Sequence, residues 1–269
     1  MVLFPTAKIN LGLRVAGKRK DGFHNIESVF YPVPMSDVIE FYEAQEFKLE
    51  IFGKTVPGKL SENLLFTTWK LLHDYYNIPP LAVVLLKNIP AGSGLGGGSA
   101  DAAFFLKGMN DFFGLMLTPE KLAEFALQLG SDCPFFLYNT PALVSGRGEV
   151  VQPVEHVLKG FWLVLIIPEL HASTREMFSR LRPEIIETPL WEIIKLPVSS
   201  WRGLLSNDFE KVVFSVYPRL VKIKQALLDN GALYASLTGS GSALYGIFEG
   251  KPETAGLEKP GNVFSYQLE

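Results

Sequence analysis

Residues 90–103 of the chain read Pro90-Ala91-Gly92-Ser93-Gly94-Leu95-Gly96-Gly97-Gly98-Ser99-Ala100-Asp101-Ala102-Ala103. Glycine removes side chains where a ligand must approach the backbone closely, and the run that follows predicts a helix over residues 100–109. The N-terminus of such a helix offers unpaired N–H groups and about half a positive charge. The segment therefore predicts an anion cradle suited to a di- or triphosphate. The alternative is a flexible glycine linker, which the apolar segments on both sides disfavour.

The spacing of the glycines distinguishes this segment from two common phosphate loops. Gly92, Gly94 and Gly97 match the Gly-x-Gly-x-x-Gly fingerprint of dinucleotide-binding proteins, a short match that identifies no fold by itself. That fingerprint needs an acidic residue about 20 positions later, whereas Asp111 lies only 14 positions after Gly97. A Walker A loop is excluded because no Gly-Lys-Ser/Thr follows. We therefore expect a phosphate loop of a third kind, with a nicotinamide-dependent oxidoreductase as the alternative.

Hydrophobic periodicity predicts strands and helices in an irregular order. Phe47, Leu49 and Ile51 alternate with charged residues, which is typical of a half-buried strand. The segment 119–129 is predicted as a helix, with a threonine cap before it and a glycine stop after it. Further strands are predicted over residues 9–15, 24–33, 81–86, 142–144, 149–154, 161–167, 232–237 and 243–248. Further helices are predicted over 61–76 and 100–109, and Pro218 divides a last helical stretch, 207–230, into two helices. The order favours an α+β fold over a doubly wound sheet.

Composition and charge limit the classes of function. The chain has 269 residues with a formal net charge of −3, which disfavours a protein that grips the nucleic-acid backbone. The longest apolar run, 161–167, is too short to cross a bilayer, and the N-terminus has no signal-peptide pattern. A single cysteine, Cys133, favours a reducing compartment. We expect a cytoplasmic protein without nucleic-acid or membrane partners, divided near a linker at residues 153–160 into domains 1–155 and 156–269.

Two charged residues stand beside apolar segments. Lys8 lies in the strand-like Ala7-Lys8-Ile9-Asn10-Leu11, either as a solvent-facing side chain or as a functional cation. Asp132 precedes an apolar run, where it either caps a turn or is partly desolvated and suited to base work. Cys133 as a nucleophile is disfavoured because no Cys-His signature accompanies it. No metal-ligand spacing is found among the four histidines, which are His24, His73, His156 and His171.

Several motifs resemble those of the GHMP kinases, the family of galactokinase, homoserine, mevalonate and phosphomevalonate kinases. The segment from Pro90 to Ser99 resembles their second motif, and Leu237-Thr238-Gly239-Ser240-Gly241-Ser242 resembles their third. The opening is similar to the first motif of the branch that acts on a cytidine-diphosphate-linked methylerythritol; it reads Ala7-Lys8-Ile9-Asn10-Leu11-Gly12-Leu13-Arg14-Val15 and continues to Lys20-Asp21-Gly22-Phe23-His24. Two further blocks also resemble that branch, Gly146-Arg147-Gly148-Glu149 and Asn207-Asp208-Phe209-Glu210.

The resemblance implies a fold and a reaction. The fold is the two-domain α+β GHMP kinase fold, with the active site in the cleft between domains. The reaction is ATP-dependent phosphorylation of the 2-hydroxyl of the cytidine-diphosphate-linked methylerythritol, on the non-mevalonate route to isoprenoid precursors. The implied cofactors are ATP and Mg²⁺.

The resemblance also implies roles for single residues. Asp132 matches the catalytic base, and Lys8 matches the lysine paired with it. The segment from Pro90 to Ser99 would wrap the ATP phosphates, with Ser99 near the phosphates or Mg²⁺. Asn63 and Lys87 match positions near the nucleotide. The acceptor would lie against Asn10 at its polyol and, at its cytidine end, against Phe23, His24, Phe30, Thr174 and Phe178.

Three departures and three alternatives accompany this resemblance. Thr6 stands in place of a usual proline, Phe23 replaces a usual tyrosine and loses its hydroxyl, and the short tail leaves little room for the family's last helix. The alternatives are a homoserine- or mevalonate-type GHMP kinase, a nicotinamide-dependent oxidoreductase and a catalytically silent nucleotide-binding module. The Asp21-Gly22-Phe23-His24 block disfavours the first, and the presence of both Lys8 and Asp132 disfavours the last.

Overall fold

Strands and helices follow one another irregularly in the computed structural model, which describes residues 1–155, 157–170, 172–182, 188–257 and 261–269. His156 and His171, whose spacing was considered above, lie outside the described residues. The strands are β1 Val2–Leu3, β2 Thr6–Lys18, β3 His24–Ser36, β4 Val38–Glu43, β5 Lys48–Gly53, β6 Leu81–Lys87, β7 Ala142–Gly146, β8 Val150–Pro153, β9 Trp162–Ile167, β10 Tyr234–Leu237, β11 Leu244–Phe248 and β12 Asn262–Gln267. The α-helices are α1 Leu64–Tyr76, α2 Gly97–Phe112, α3 Pro119–Leu129, α4 Cys133–Tyr138, α5 Thr174–Arg180, α6 Leu190–Ile194, α7 Phe209–Val216 and α8 Arg219–Asp229.

The chain forms two compact units, each assembled from separated segments. The first comprises Met1–Ala7, Pro34–Ala91 and Gly96–Thr140, and the second comprises Lys8–Val33, Gly92–Leu95 and Pro141–Glu269. The segments are separated because β2, β3 and the glycine segment each pass from one unit into the other along the chain. This division by contacts differs from the consecutive division at residue 155, which stays a prediction.

The first unit is a four-stranded sheet with helices packed beside it. The strand order is β1-β4-β6-β5, in which β5 runs parallel to β6 and the other pairs are antiparallel. Alternate residues of β4 and β6 are buried, and the ring of Phe41 meets Phe105 of α2 edge-on at 5.1 Å between centroids. Burying one such side chain contributes about 1.5–3 kcal/mol. This packing fixes β6 and α2, the two elements that flank the glycine segment.

The second unit contains two further sheets. Their strand orders are β2-β3-β7-β8 and β10-β11-β9-β12. Every residue of β9 after Trp162 is buried because β11 and β12 pair with it on its two sides. Helices α7 and α8 contribute Val213, Leu220 and Ile223 to a core that also holds Leu237 and Leu244. This core supports β10 and β11, the strands on either side of the loop 238–243.

The α+β fold class is confirmed, and several element bounds match the prediction. Helix α3 has the predicted bounds, with Thr118 accepting a hydrogen bond from the Lys121 N–H. The helix predicted from residue 61 begins instead at Leu64, because a 3-10 turn, Leu60–Glu62, precedes it. The half-buried pattern predicted for β5 is wrong at Ile51, which is 38% exposed because β5 lies at the edge of its sheet.

Several elements were not predicted, among them α4, α5, α6 and β12. Helix α4 forms the apolar run after Asp132. Strand β12 pairs with β9 in the tail, which was expected to leave little room for a last helix. Among the described helices, none combines the length and the apolar character that a membrane span requires.

Candidate active site

The glycine segment ends at the beginning of α2. Gly96 is the N-cap residue of α2 in a left-handed conformation, with φ of +74°, and no side chain caps the helix. The first turn of α2 also carries no acidic side chain. Side chains of the helix therefore leave the positive end of its dipole uncompensated, and an anion can accept hydrogen bonds from this turn.

Lys8 is buried beside the middle of the glycine segment. Its side chain is not solvent-facing, because Lys8 is only 3% exposed. The ammonium donates to Asn10 Oδ1 at 2.6 Å and to the carbonyl oxygen of Gly94 at 3.2 Å. It also lies 4.5 Å from the centroid of the Phe30 ring. Alternation along β2 accounts for the pairing, since residues two apart share one face of a strand.

Asn10 joins three separate segments of the second unit. Its Oδ1 accepts hydrogen bonds from Lys8 and from the Gly239 N–H at 2.8 Å, and its Nδ2 donates to Ser28 Oγ at 2.9 Å. The hydroxyl of Thr238 lies 3.2 Å from both Asn10 Oδ1 and the Gly94 carbonyl oxygen. We call these residues the Asn10 junction, which consists of Lys8, Asn10, Ser28, Gly94, Thr238 and Gly239. Asn10 itself is fully buried, and both ends of its amide bind protein groups.

Backbone contact between Gly94 and Thr238 explains why glycine is needed in the loop. Gly94 has φ of +82°, and a Cβ atom there would lie 2.1 Å from the carbonyl oxygen of Thr238. Asn207 supports the other side of this contact, donating from Nδ2 to the carbonyl oxygens of Leu237 and Gly239 at 2.9 and 2.8 Å. The second and third motifs therefore meet directly through their backbones.

The residues matched to the cytidine end are only partly grouped. His24 and Phe178 stack at 5.1 Å between ring centroids, with an angle of 23° between the planes. Phe23 is 46% exposed, and the guanidinium of Arg147 lies 4.7 Å from its ring centroid. Phe30, by contrast, is buried beneath Lys8. The hydroxyl of Thr174 lies 2.8 Å from Ser240 Oγ, in the loop after β10.

Asp132 lies at the beginning of α4, in the first unit. It occupies the N-cap position, but its side chain makes no capping hydrogen bond. The next residue, Cys133, has its thiol hydrogen-bonded to Ser99, near the beginning of α2. Burial raises the pKa of Cys133 to about 12, which further disfavours this thiol as a nucleophile. Because the side chain of Asp132 makes no capping hydrogen bond, the geometry does not favour the capping alternative for this residue.

Asn63 and Lys87 both have structural partners. The side chain of Asn63 caps α1, accepting from the Leu65 N–H at 2.9 Å. The ammonium of Lys87 is 2.5 Å from Asp37 Oδ2 and 2.5 Å from Asp101 Oδ2, and all three side chains are buried. Burial raises the pKa of Asp101 to about 8 against the opposing effect of the Lys87 cation.

Among the residues that the structure describes, no group of three or more His, Cys, Asp or Glu side chains could hold a metal ion. Mg²⁺ in kinases is bound mainly by substrate phosphates, with one or two protein ligands. A site without a cluster of protein ligands is therefore compatible with an ion that arrives together with the nucleotide.

Sequence reasoning missed two residues that organise this site. Asp37 lies between two strands, where an aspartate ordinarily indicates a turn, and its partners are about 50 positions away. Asn207 was noticed only as part of a resembling block. Neither residue carries a local signal for its contacts.

Comparisons with known proteins agree with this architecture. The family model described as the GHMP kinases N terminal domain matches residues 63–140, and the GHMP kinases C terminal model matches residues 190–258. The chain therefore belongs to the GHMP kinases and is a small-molecule kinase.

More specific matches narrow the assignment. Proteins named 4-diphosphocytidyl-2-C-methyl-D-erythritol kinase are 46% identical in Bacteroides fragilis, over 92% of both chains, and 47% identical in Parabacteroides distasonis, over 93% of this chain and 92% of that one. A crystal structure of 4-(cytidine 5'-diphospho)-2C-methyl-D-erythritol kinase aligns over 98% of both chains with a TM-score of 0.81 and 28% identity. Within the GHMP kinases, the chain belongs to the 4-diphosphocytidyl-2-C-methyl-D-erythritol kinase family.

Proposed function

We propose that the chain transfers the γ-phosphoryl group of ATP to the 2-hydroxyl of 4-diphosphocytidyl-2-C-methyl-D-erythritol, in the non-mevalonate route to isoprenoid precursors. The observation that carries this proposal is the Asn10 junction, in which a buried cation, the glycine segment and the third motif share one hydrogen-bond network. The names of the relatives supply the acceptor. The reaction is proposed for the cytoplasm, with two small molecules as partners and neither a nucleic acid nor a membrane.

The glycine segment and the first turn of α2 would bind the phosphates. Phosphoryl transfer needs alignment and charge compensation more than covalent help from the protein. Backbone N–H groups at an uncapped helix N-terminus provide both, and the glycines allow the phosphates to approach closely. The Ser99 hydroxyl would be a candidate ligand for the Mg²⁺ of an ATP complex, and this cation would compensate further charge on the phosphates.

Asp132 and Lys8 would carry the chemistry at the acceptor hydroxyl. A carboxylate such as that of Asp132 can accept the hydroxyl proton as the phosphoryl group is transferred. The Lys8 ammonium would stabilise negative charge that develops on the transferred group and the attacking oxygen. Because both ends of the Asn10 amide are used within the protein, we assign Asn10 the role of orienting Lys8 rather than of contacting the polyol.

The cytidine would stack at the aromatic pair His24 and Phe178, with Phe23 beside it. An exposed aromatic ring is a suitable platform for a nucleobase, and stacking of one base contributes about 1–3 kcal/mol. Thr174 would add a hydroxyl contact near the loop after β10. Phe30 is buried, and its ring would support the acceptor site through its contact with the Lys8 ammonium.

The role of Asp132 is tested by Asp132→Asn. We expect kcat to fall by roughly 10²–10⁴-fold, the usual contribution of a general base, while the Kd for ATP stays unchanged. Coupled ADP release measures kcat, and calorimetric titration measures ATP binding. The matched control is Asp74→Asn, which removes an exposed carboxylate of α1 that pairs with Lys70. Near wild-type kcat in Asp132→Asn would eliminate Asp132 as the base.

The acceptor assignment is tested by His24→Ala. Loss of one stacking surface should raise the KM for the cytidylyl substrate by about tenfold or more, since each 1.4 kcal/mol is a factor of ten. The KM for ATP, measured in the same assay, serves as the internal control and should stay within about twofold. Equal effects on both KM values would contradict the assignment.

A further inference from the structure

A buried cluster of three charged side chains lies beside the glycine segment in the first unit. Lys87 is at the end of β6, Asp37 is between β3 and β4, and Asp101 is in the second turn of α2. Their side chains are 3%, 0% and 5% exposed, and the Lys87 ammonium is 2.5 Å from a carboxylate oxygen of each aspartate. We call this cluster the ion triad.

The ion triad is bonded to both ends of the glycine segment. Asp37 Oδ1 accepts from the backbone N–H groups of Asn88 and Ile89, at 2.6 and 2.8 Å, directly before the segment begins. Asp101 joins the triad to α2, directly after the segment ends. One central ammonium thus connects the chain entering the loop with the helix leaving it.

The two ends also touch each other at the triad. A Cβ atom on Gly97 would lie 2.7 Å from Ile89 Cγ2 and 3.1 Å from the Lys87 ammonium. No side chain larger than hydrogen therefore fits at the first residue of α2 without a shift. The distance across the mouth of the loop is set by this packing against Ile89 and Lys87.

We infer that Lys87 acts on ATP indirectly, as a positioning residue: the ion triad holds the two ends of the glycine segment at the separation that phosphate binding needs. This inference rests on the proposed function, because it concerns the loop to which ATP binding is assigned there. Its physical basis is charge balance. The Lys87 ammonium offsets the negative charge of the two acidic side chains that face it, whereas a carboxylate left without its cation in the interior is strongly unfavourable and forces its surroundings to rearrange.

A second substitution distinguishes this positioning role from direct contact between Lys87 and the nucleotide. Lys87→Met removes the cation and leaves Asp37 unbalanced. Adding Asp37→Asn removes that charge, while Asn can still accept from the Asn88 and Ile89 N–H groups through its Oδ1 atom. A positioning role predicts recovery in the double variant. Direct contact predicts none, because the ammonium is absent from both.

The experiment measures the Kd of MgATP by calorimetry and the steady-state constants by ADP release. For Lys87→Met we expect kcat/KM for ATP to fall by roughly 10- to 100-fold, the effect of a small misplacement of a binding group. The double variant Lys87→Met/Asp37→Asn should return to within about fivefold of wild type, and the KM for the cytidylyl substrate should stay within about twofold throughout. The matched control, Lys107→Met, removes an exposed lysine from α2, the helix that carries Asp101, and should behave as wild type.

Several results would overturn the inference. They are an unchanged Kd for MgATP in Lys87→Met, a double variant that binds MgATP no better than Lys87→Met, and a double variant that does not fold. If Lys87→Met itself does not fold, the double variant is compared with wild type alone. MgATP binding within about fivefold of wild type then supports the inference, and weaker binding overturns it. Failure of the proposed function is recognised separately, because the wild-type protein would then bind no MgATP or release no ADP with the cytidylyl substrate.

Discussion

The glycine segment is held by two clusters of opposite character. Its middle is attached to the Asn10 junction, where the Lys8 ammonium donates to the amide oxygen of Asn10 and the carbonyl oxygen of Gly94, and the other bonds come from amides, hydroxyls and carbonyls. Its ends are attached to the ion triad, where the Lys87 ammonium meets two carboxylates. Both clusters are buried and each contains one lysine, but the bonds that Lys8 makes within the Asn10 junction go to neutral oxygens, whereas the bonds of Lys87 within the ion triad are ion pairs.

This difference supports the separate roles proposed for the two lysines. The bonds to Asn10 and Gly94 orient the Lys8 ammonium without themselves neutralising it, whereas the bonds to Asp37 and Asp101 compensate the charge of Lys87 within the protein. Sequence alone does not distinguish them, because both lysines lie in or at the end of apolar strands. The difference also predicts how each cluster fails, since breaking a buried ion pair costs more than breaking neutral hydrogen bonds.

The largest effect on stability is expected from Lys87→Met. Leaving a buried carboxylate without its cation should lower the free energy of unfolding by about 3–5 kcal/mol. Urea unfolding measures this value, with the exposed Lys107→Met expected to stay within about 0.5 kcal/mol of wild type. If Lys87→Met and Lys107→Met unfold at the same urea concentration, the triad is not a charged cluster of the interior.

A smaller effect is expected from Asn10→Leu at the neutral junction. The substitution leaves the Gly239 N–H and the Lys8 ammonium without the Oδ1 acceptor, and unsatisfied buried groups cost roughly 1–3 kcal/mol each. We expect a loss of about 2–3 kcal/mol in urea unfolding together with a large loss of kcat, because Lys8 is no longer oriented. A variant with wild-type kcat would show that the junction does not serve Lys8.

The smallest effect on stability at neutral pH is expected from Asp101→Asn, which instead changes the pH dependence of the free energy of unfolding. Burial raises the pKa of Asp101 from 3.8 in the free side chain to about 8. Between these two values the folded chain binds a proton that the unfolded chain releases, so this group makes the free energy of unfolding fall as the pH rises. Its contribution is complete below the lower value and lost above the higher one.

Asp101→Asn removes this titration. The free energy of unfolding of the variant should therefore fall less steeply than that of wild type between pH 5 and pH 8, as measured by urea titrations at each pH. Parallel pH profiles for the two proteins would contradict the assignment of the raised pKa to Asp101.

Local sequence signals predicted the parts of the fold that depend on local chemistry. The cap and stop residues of α3 gave its bounds, and the glycine segment before α2 was recognised from composition alone. Strand β12 was missed because its pairing with β9 is a long-range contact that the local sequence does not indicate. Helix α4 was missed because a six-residue apolar run has no helical period to detect.

The same distinction applies to the site. Lys8, the glycine segment and Thr238 could be predicted because each lies in a motif, and the fold brings them together at Asn10. The partners of Lys87 could not be predicted, because Asp37 lies 50 positions earlier in the chain and only the sheet places it next to β6. Thr6, which stands where the family usually has proline, donates a hydrogen bond from its hydroxyl to Asn139 Oδ1. This is an ordinary structural contact.

The most direct test of the account is ADP release from MgATP with a panel of acceptors. The panel contains 4-diphosphocytidyl-2-C-methyl-D-erythritol, homoserine and mevalonate, each at the same concentration. The account predicts turnover with the cytidylyl compound alone. Turnover with homoserine or mevalonate in its place would contradict the assignment of His24 and its neighbours to the acceptor, while leaving the kinase fold and the geometry of the glycine segment as described.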